Sequence, residues 1–286
     1  MWGYGQCMDT IHDIVLNLNT MFSMLIEMLT NDSLLQTATT SLPNLVSAIK
    51  ATAITLCVMF FLIDFFAKST HFQWVTWENV LVFVVKLFVA KICVDNAELF
   101  TTIIYRGFNG FVGAIAGTIT QYSFIDGDDM TIAQYFVSAS QASQIINNVD
   151  AGFLNFQPVI LNLQISIQGL IMKIIMILAN VVVIARLFEL TVYTMVAPIP
   201  ISTFACDGLS DVGKGFLKSY AAVSLQAIVL AIMFIAYSAV NQSLIAGNIG
   251  SYNLTLNGLT GLITTLTLGM GVMSSGSWAR KICGAM

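Results

Sequence analysis

Runs of about twenty or more apolar residues govern what this chain can fold into. A backbone in lipid must satisfy its own hydrogen bonds, and an α-helix needs roughly 20 residues to cross a hydrocarbon core of about 30 Å. Four such runs occupy residues 45–66, 79–105, 216–240 and 258–276, and a fifth lies within 164–204. Charge is correspondingly scarce. Of 286 residues, 57% are hydrophobic and 9% charged, with a mean hydropathy of +0.84, whereas a soluble domain carries about 25% charged residues. The expectation is an all-α integral membrane protein with membrane lipid as its first partner.

With only 11 Lys and Arg residues, the position of each one bears on topology. If the long run at 164–204 crosses once, the chain has about five transmembrane helices with the N-terminus outside and the C-terminus cytoplasmic. Lys68, Lys214, Lys218, Arg280 and Lys281 then lie inside, and Arg106 lies outside at a span end. Segments 1–44, 107–161 and 241–257 hold no Lys or Arg, so this map satisfies the positive-inside bias. The resulting organisation is an outer segment 1–44, two spans in 45–106, an outer segment 107–161 and three spans in 162–286. The last region carries a cytoplasmic turn at 197–215 and a short basic tail.

As one straight helix, 164–204 would run to about 60 Å, too long for a single crossing. The excess length is expected to leave the membrane near Arg186, and the helix to end at or before Ala197. Pro198 and Pro200 lack an amide donor and push their predecessors out of helical conformation.

The outer segments have patterns of their own. Ile11, Ile14, Val15, Leu18, Phe22, Leu25 and Leu29 recur at helical spacing and predict an amphipathic N-terminal helix. Gly107, Gly110, Gly113 and Gly117 share one helical face, the kind of stripe that lets two backbones approach closely in a helix-packing or oligomer interface. This segment reads as a re-entrant helix or an extension of the second span; a sixth crossing ranks last because it upsets the charge count.

Charges inside the spans are the candidate functional residues, because Lys, Arg or Asp at mid-helix costs about 2.5 to 3.5 kcal/mol on insertion scales. Lys91, Asp95 and Glu98 fall on one side of the second span. They could line a polar cavity or proton relay, or neutralise one another at a helix contact. Lys86 points the other way and needs another partner, Asp64 or a neighbouring subunit. Arg186 and Glu189 are neighbours three apart. Either Arg186 reaches the headgroups with Glu189 offsetting its charge, or the pair begins a cytoplasmic docking element that continues through Pro198, Pro200 and Lys214 to Lys218.

Enzymatic chemistry has little to work with. His12 and His71 fall on opposite sides of this membrane map, and HExxH, GxSxG and phosphate-loop motifs are absent from the sequence. The five cysteines, Cys7, Cys57, Cys93, Cys206 and Cys283, match no disulfide or metal spacing. The expectation is a protein that is not an enzyme, with no metal and no cofactor.

The run Arg186-Leu-Phe-Glu189, then Ala197-Pro198-Ile199, Phe204, Gly213-Lys-Gly-Phe-Leu-Lys218 and the following span with Gln226 resembles the TrbL-like polytopic inner-membrane subunits of type IV secretion and conjugation systems. The resemblance covers residues 160–280 by motif and the remainder by layout. It implies a bacterial cytoplasmic (inner) membrane scaffold and conduit subunit, self-assembled as a homo-oligomeric ring and supporting pilus assembly or substrate passage. The partners it implies are a pilin-like subunit, other inner-membrane secretion subunits and secretion ATPases, with DNA only as transported substrate. An acidic chain of pI about 5.0 gives no electrostatic support for strong phosphate binding. The alternative from the residues alone is a stand-alone ion- or proton-coupled transporter or channel using the intramembrane Lys, Asp and Glu.

Overall fold

A computed structural model of the chain describes residues 24–25, 27–30, 41–70, 77–121, 157–247 and 254–285. Among these residues all regular structure is helical. In chain order the elements are α1 (Pro43–Ser69), α2 (Trp77–Asp95), α3 (Ala97–Gln121), α4 (Gln157–Val196), α5 (Pro198–Ser202), α6 (Ser210–Gly247) and α7 (Leu254–Cys283), with 3-10 turns at Thr203–Ala205 and Asp207–Leu209 between α5 and α6. Among the described residues three stretches are long and apolar enough to cross a membrane: Pro43–Ser69, Gly169–Val196 and Asp207–Tyr237. The five-span count of the sequence reading is finer than this. α2 holds Glu78, Lys86, Lys91 and Asp95 within its 19 residues, and α7 is rich in Gly, Ser and Thr.

Local chemistry explains the boundaries. Pro43 opens α1 at the first helical position, where its missing N–H costs nothing. The second apolar run is interrupted at Asn96, but the amide of Asn96 still donates to Ile92 O at 3.0 Å and Phe100 N donates to Asn96 O at 3.3 Å, so helical bonding carries across the interruption. α4 runs unbroken from Gln157 to Val196 and stops at Ala197. The chain does not become an open loop there: Pro198 and Pro200 occupy the first turn of α5, and Ile201 N donates to Ala197 O at 3.2 Å.

The chain divides into two compact units, one of residues 1–30, 111–184 and 228–275, the other of residues 31–110, 185–227 and 276–286. In the first, α6 and α7 are joined by a hydrogen bond between Tyr237 Oη and Thr265 Oγ1 at 3.2 Å. Gly269 of α7 seats Ile175 of α4 so closely that an added Cβ would stand 3.1 Å from it. Of the expected N-terminal amphipathic helix, Leu25 and Leu29 are buried; its residues 11–23 and 26 lie outside the described residues, as do His71 and residues 122–156.

The second unit holds most of the sequence-predicted site residues. Its core joins Ala53 and Cys57 of α1, Ala90 and Val94 of α2, Ala97 of α3, and Ala197, Ile201 and Ala205 of the elbow between α4 and α6. Five of these eight residues are alanines, so α5 can enter between α1 and α2 at close range. Two ion pairs fix the register of α1 against α2 and the first turn of α3. Lys50 meets Glu98 at 3.2 Å and Asp64 meets Lys86 at 3.1 Å, as antiparallel helices require, since one index falls as the other rises.

Candidate functional site: a ring of charges and a buried arginine

Asp64 is 5% exposed in α1, and a carboxylate held away from water needs partners. It has two. Lys68, one turn on, and Lys86, across the hairpin, each place Nζ 3.1 Å from Asp64 Oδ2. Both lysines also pair with Asp207 in the turn that follows the elbow, one to each of its carboxylate oxygens. The four side chains form a closed ring of alternating sign, Asp64, Lys68, Asp207 and Lys86, in which every charge has two opposite neighbours. The Phe83 ring backs it, with the Lys68 and Lys86 ammonium groups 5.1 and 5.8 Å from the ring centroid, a distance at which cation–π attraction contributes. Phe83 itself packs on Phe61 and Phe65 of α1 at 5.1 and 5.7 Å.

The ring therefore clips the α4–α6 connection to the α1/α2 hairpin. Threonine and glycine tighten the same joint. Thr203 Oγ1 donates to Pro200 O at 2.7 Å and accepts from the buried amide of Gly213 at 3.1 Å. A Cβ at Gly213 would stand 2.9 Å from the Phe204 ring and from Pro200 O, so only glycine permits this approach.

Arg186 lies elsewhere than its sequence suggests. It neither reaches toward headgroups nor pairs with Glu189. It is 1% exposed, the bulkiest fully buried side chain among the described residues, and its Nε and Nη2 donate to the α6 carbonyls of Val223 and Ser224 at 2.9 and 3.3 Å. A helix carbonyl has a second lone pair free after its own backbone bond, which is what makes this possible. Nη1 of Arg186 and Oγ of Ser224 are buried without a hydrogen-bond partner. Nearby, Thr194 and Tyr220 share a hydrogen bond at 3.2 Å, and Tyr105, Leu190, Tyr220 and Val223 form one buried cluster. Glu189 faces α7 instead and accepts from Arg280 Nη2 at 3.4 Å. The reason is geometric: side chains three apart on one helix are neighbours only if both leave in the same direction, and tertiary packing draws these two apart.

The charge group expected on the second span also separates. Glu98 pairs with Lys50 rather than Lys91, whereas Lys86 meets Asp64, one of the two partners its position suggested, within the ring. Among the described residues Lys91 and Asp95 make no ion pair, and both are exposed on α2. Of the predicted docking residues, Pro198 is buried and Pro200 half-buried, both against the chain's own helices. Lys214 and Lys218 are exposed, Lys214 with Asp211 at 3.1 Å. Gly107, Gly110 and Gly113 face open space, with nothing within 4 Å of an added Cβ, so no helix among the described residues packs on them; Gly117 continues the same helix.

Sequence reasoning passed over Asp207. It is the first acidic residue after Glu189, and its place directly behind the elbow was the available signal. The partners of Arg186 resist recognition from sequence, because they are backbone carbonyls. Comparison with protein-family models, curated proteins and solved structures finds no match to this chain.

Proposed function

We propose that the chain is a non-enzymatic, multi-pass scaffold subunit of the bacterial cytoplasmic membrane, acting in a type IV secretion or conjugation apparatus. Five spans are assigned to α1, α2 with α3, α4, α6 and α7, with the N-terminus outside and the C-terminus cytoplasmic. The carrying observation is how the charges are used. Asp64, Lys68, Lys86 and Asp207 bind one another, Lys50 binds Glu98, and Arg186 binds the backbone of α6. These bonds brace one helix against the next; a proton or ion path would need the same groups along a lumen. That favours a scaffold over a stand-alone transporter, and the motifs through the elbow supply the secretion assignment. The partners of this reading are a pilin-like subunit, other inner-membrane secretion subunits and secretion ATPases, with DNA as cargo.

In-cell crosslinking tests the proposal. The chain, expressed from its own locus, should crosslink to other transfer components, and its deletion should abolish transfer. Absence of any such crosslink, together with pH-gradient-driven flux through the purified chain in liposomes that Asp95→Asn abolishes, would instead establish the transporter.

A further inference from the structure

The broad exposed face of α2 includes a row that ends in two charges. Leu81, Val84, Phe88, Lys91 and Asp95 follow one another at spacings of three, four, three and four, the 3.5-residue period of a coiled-coil seam. The three apolar members are 53%, 44% and 62% exposed, and Lys91 and Asp95 are exposed and make no ion pair among the described residues. At about 1.5 Å per residue, roughly 30 Å separates Lys86, in the charge ring, from Arg106 at the far end of this span. That is about the thickness of the hydrocarbon core. Lys91 then lies about 8 Å and Asp95 about 14 Å beyond Lys86, inside the hydrocarbon, where unpaired charges are heavily disfavoured.

We infer that this seam is the contact between two copies of the chain, paired in parallel through α2 about a two-fold axis along the membrane normal. Charge complementarity chooses the occupant. Copies in one membrane share an orientation, so Lys91 of one copy stands a single helical turn from the depth of Asp95 of the other, within reach of its four-carbon stem. The relation repeats in reverse across the axis, giving two matched pairs. Phe88, Val84 and Leu81 supply the apolar layers on the cytoplasmic side of these pairs. Such an isologous contact closes at two copies, unlike the ring that the resemblance implies. The inference needs α2 to cross the bilayer and does not depend on the secretion assignment, so the two can fail separately.

Two differently tagged copies co-expressed in one membrane test it. Wild-type copies should co-purify. Lys91→Asp in both copies, or Asp95→Lys in both, should reduce recovery by about tenfold or more. Mixing one Lys91→Asp copy with one Asp95→Lys copy should restore recovery to the wild-type level, because every contact across the axis is then between opposite signs. A Lys91–Asp95 bond within one helix cannot be rescued this way. Recovery that is unchanged in the single variants, or unrestored in the mixture, overturns the inference. Should the charge reversals impair insertion, single cysteines in an otherwise wild-type chain decide. Oxidation should give a new dimer band for Val84→Cys and Phe88→Cys and none for Val82→Cys and Val89→Cys on the neighbouring face; equal crosslinking on both faces, or none on the seam, overturns it.

Discussion

Arg186 of α4 holds Val223 of α6 by a 2.9 Å hydrogen bond from its guanidinium Nε to the backbone carbonyl, with both residues buried. A cation is thereby kept out of water with backbone dipoles as its hydrogen-bond partners among the described residues. The arrangement is costly, since carbonyl dipoles recover less than a carboxylate would.

That cost predicts an asymmetry between two substitutions. Arg186→Met removes the buried charge while filling much of the volume, and should raise stability by about 1 kcal/mol or more. Arg186→Ala leaves a cavity between α4 and α6 and should cost about 2 kcal/mol relative to the Met variant. Unfolding in detergent followed by far-ultraviolet circular dichroism reads both; equal effects would mean the guanidinium is not packed as described. A stable Arg186→Met chain that fails in transfer would assign the charge to function.

The ring predicts a ranking among its acids. Asp64→Asn strips both lysines of their buried partner and should destabilise by about 2 kcal/mol or more. Asp207 has a side chain 63% exposed, so Asp207→Asn should cost no more than about 1 kcal/mol. Equal losses, measured in the same unfolding assay, would show that the ring does not close as drawn.

Glycines of this chain should respond in opposite directions. Gly213→Ala forces a Cβ against Phe204 and Pro200 O and should cost about 1–3 kcal/mol. Gly107→Ala, Gly110→Ala and Gly113→Ala meet open space and should each gain up to about 1 kcal/mol from helix propensity. If an alanine in that stripe keeps the chain stable but abolishes crosslinks to another subunit, the stripe belongs to an interface between chains.

Topology is open to direct labelling. A membrane-impermeant maleimide added to intact spheroplasts should modify Cys7 and leave Cys283 untouched until the membrane is permeabilised. The buried Cys57 and Cys206 should react in neither case. Labelling of Cys7 and Cys283 from the same side would remove the five-span map.

What the sequence alone determined is the solvent and the helices. Long apolar runs with few charges dictate a membrane-embedded α-helical chain, and Pro198 and Pro200 dictate where α4 must stop, since both follow from backbone hydrogen bonding and ring geometry within a few residues. Neighbours by spacing along one helix were a different matter. Spacing puts Glu98 near Lys91 and Glu189 near Arg186, yet Glu98 chose Lys50, Glu189 chose Arg280 and Arg186 chose the backbone of α6. A charge pairs with whatever lies within about 4 Å in space, and for these residues that was decided by how α1 packs on α3 and how α4 packs on α6 and α7. Only the tertiary structure brings Asp207 against Lys68 and Lys86, more than a hundred residues away, and only there does the Ala-Pro turn become a buried wedge between helices.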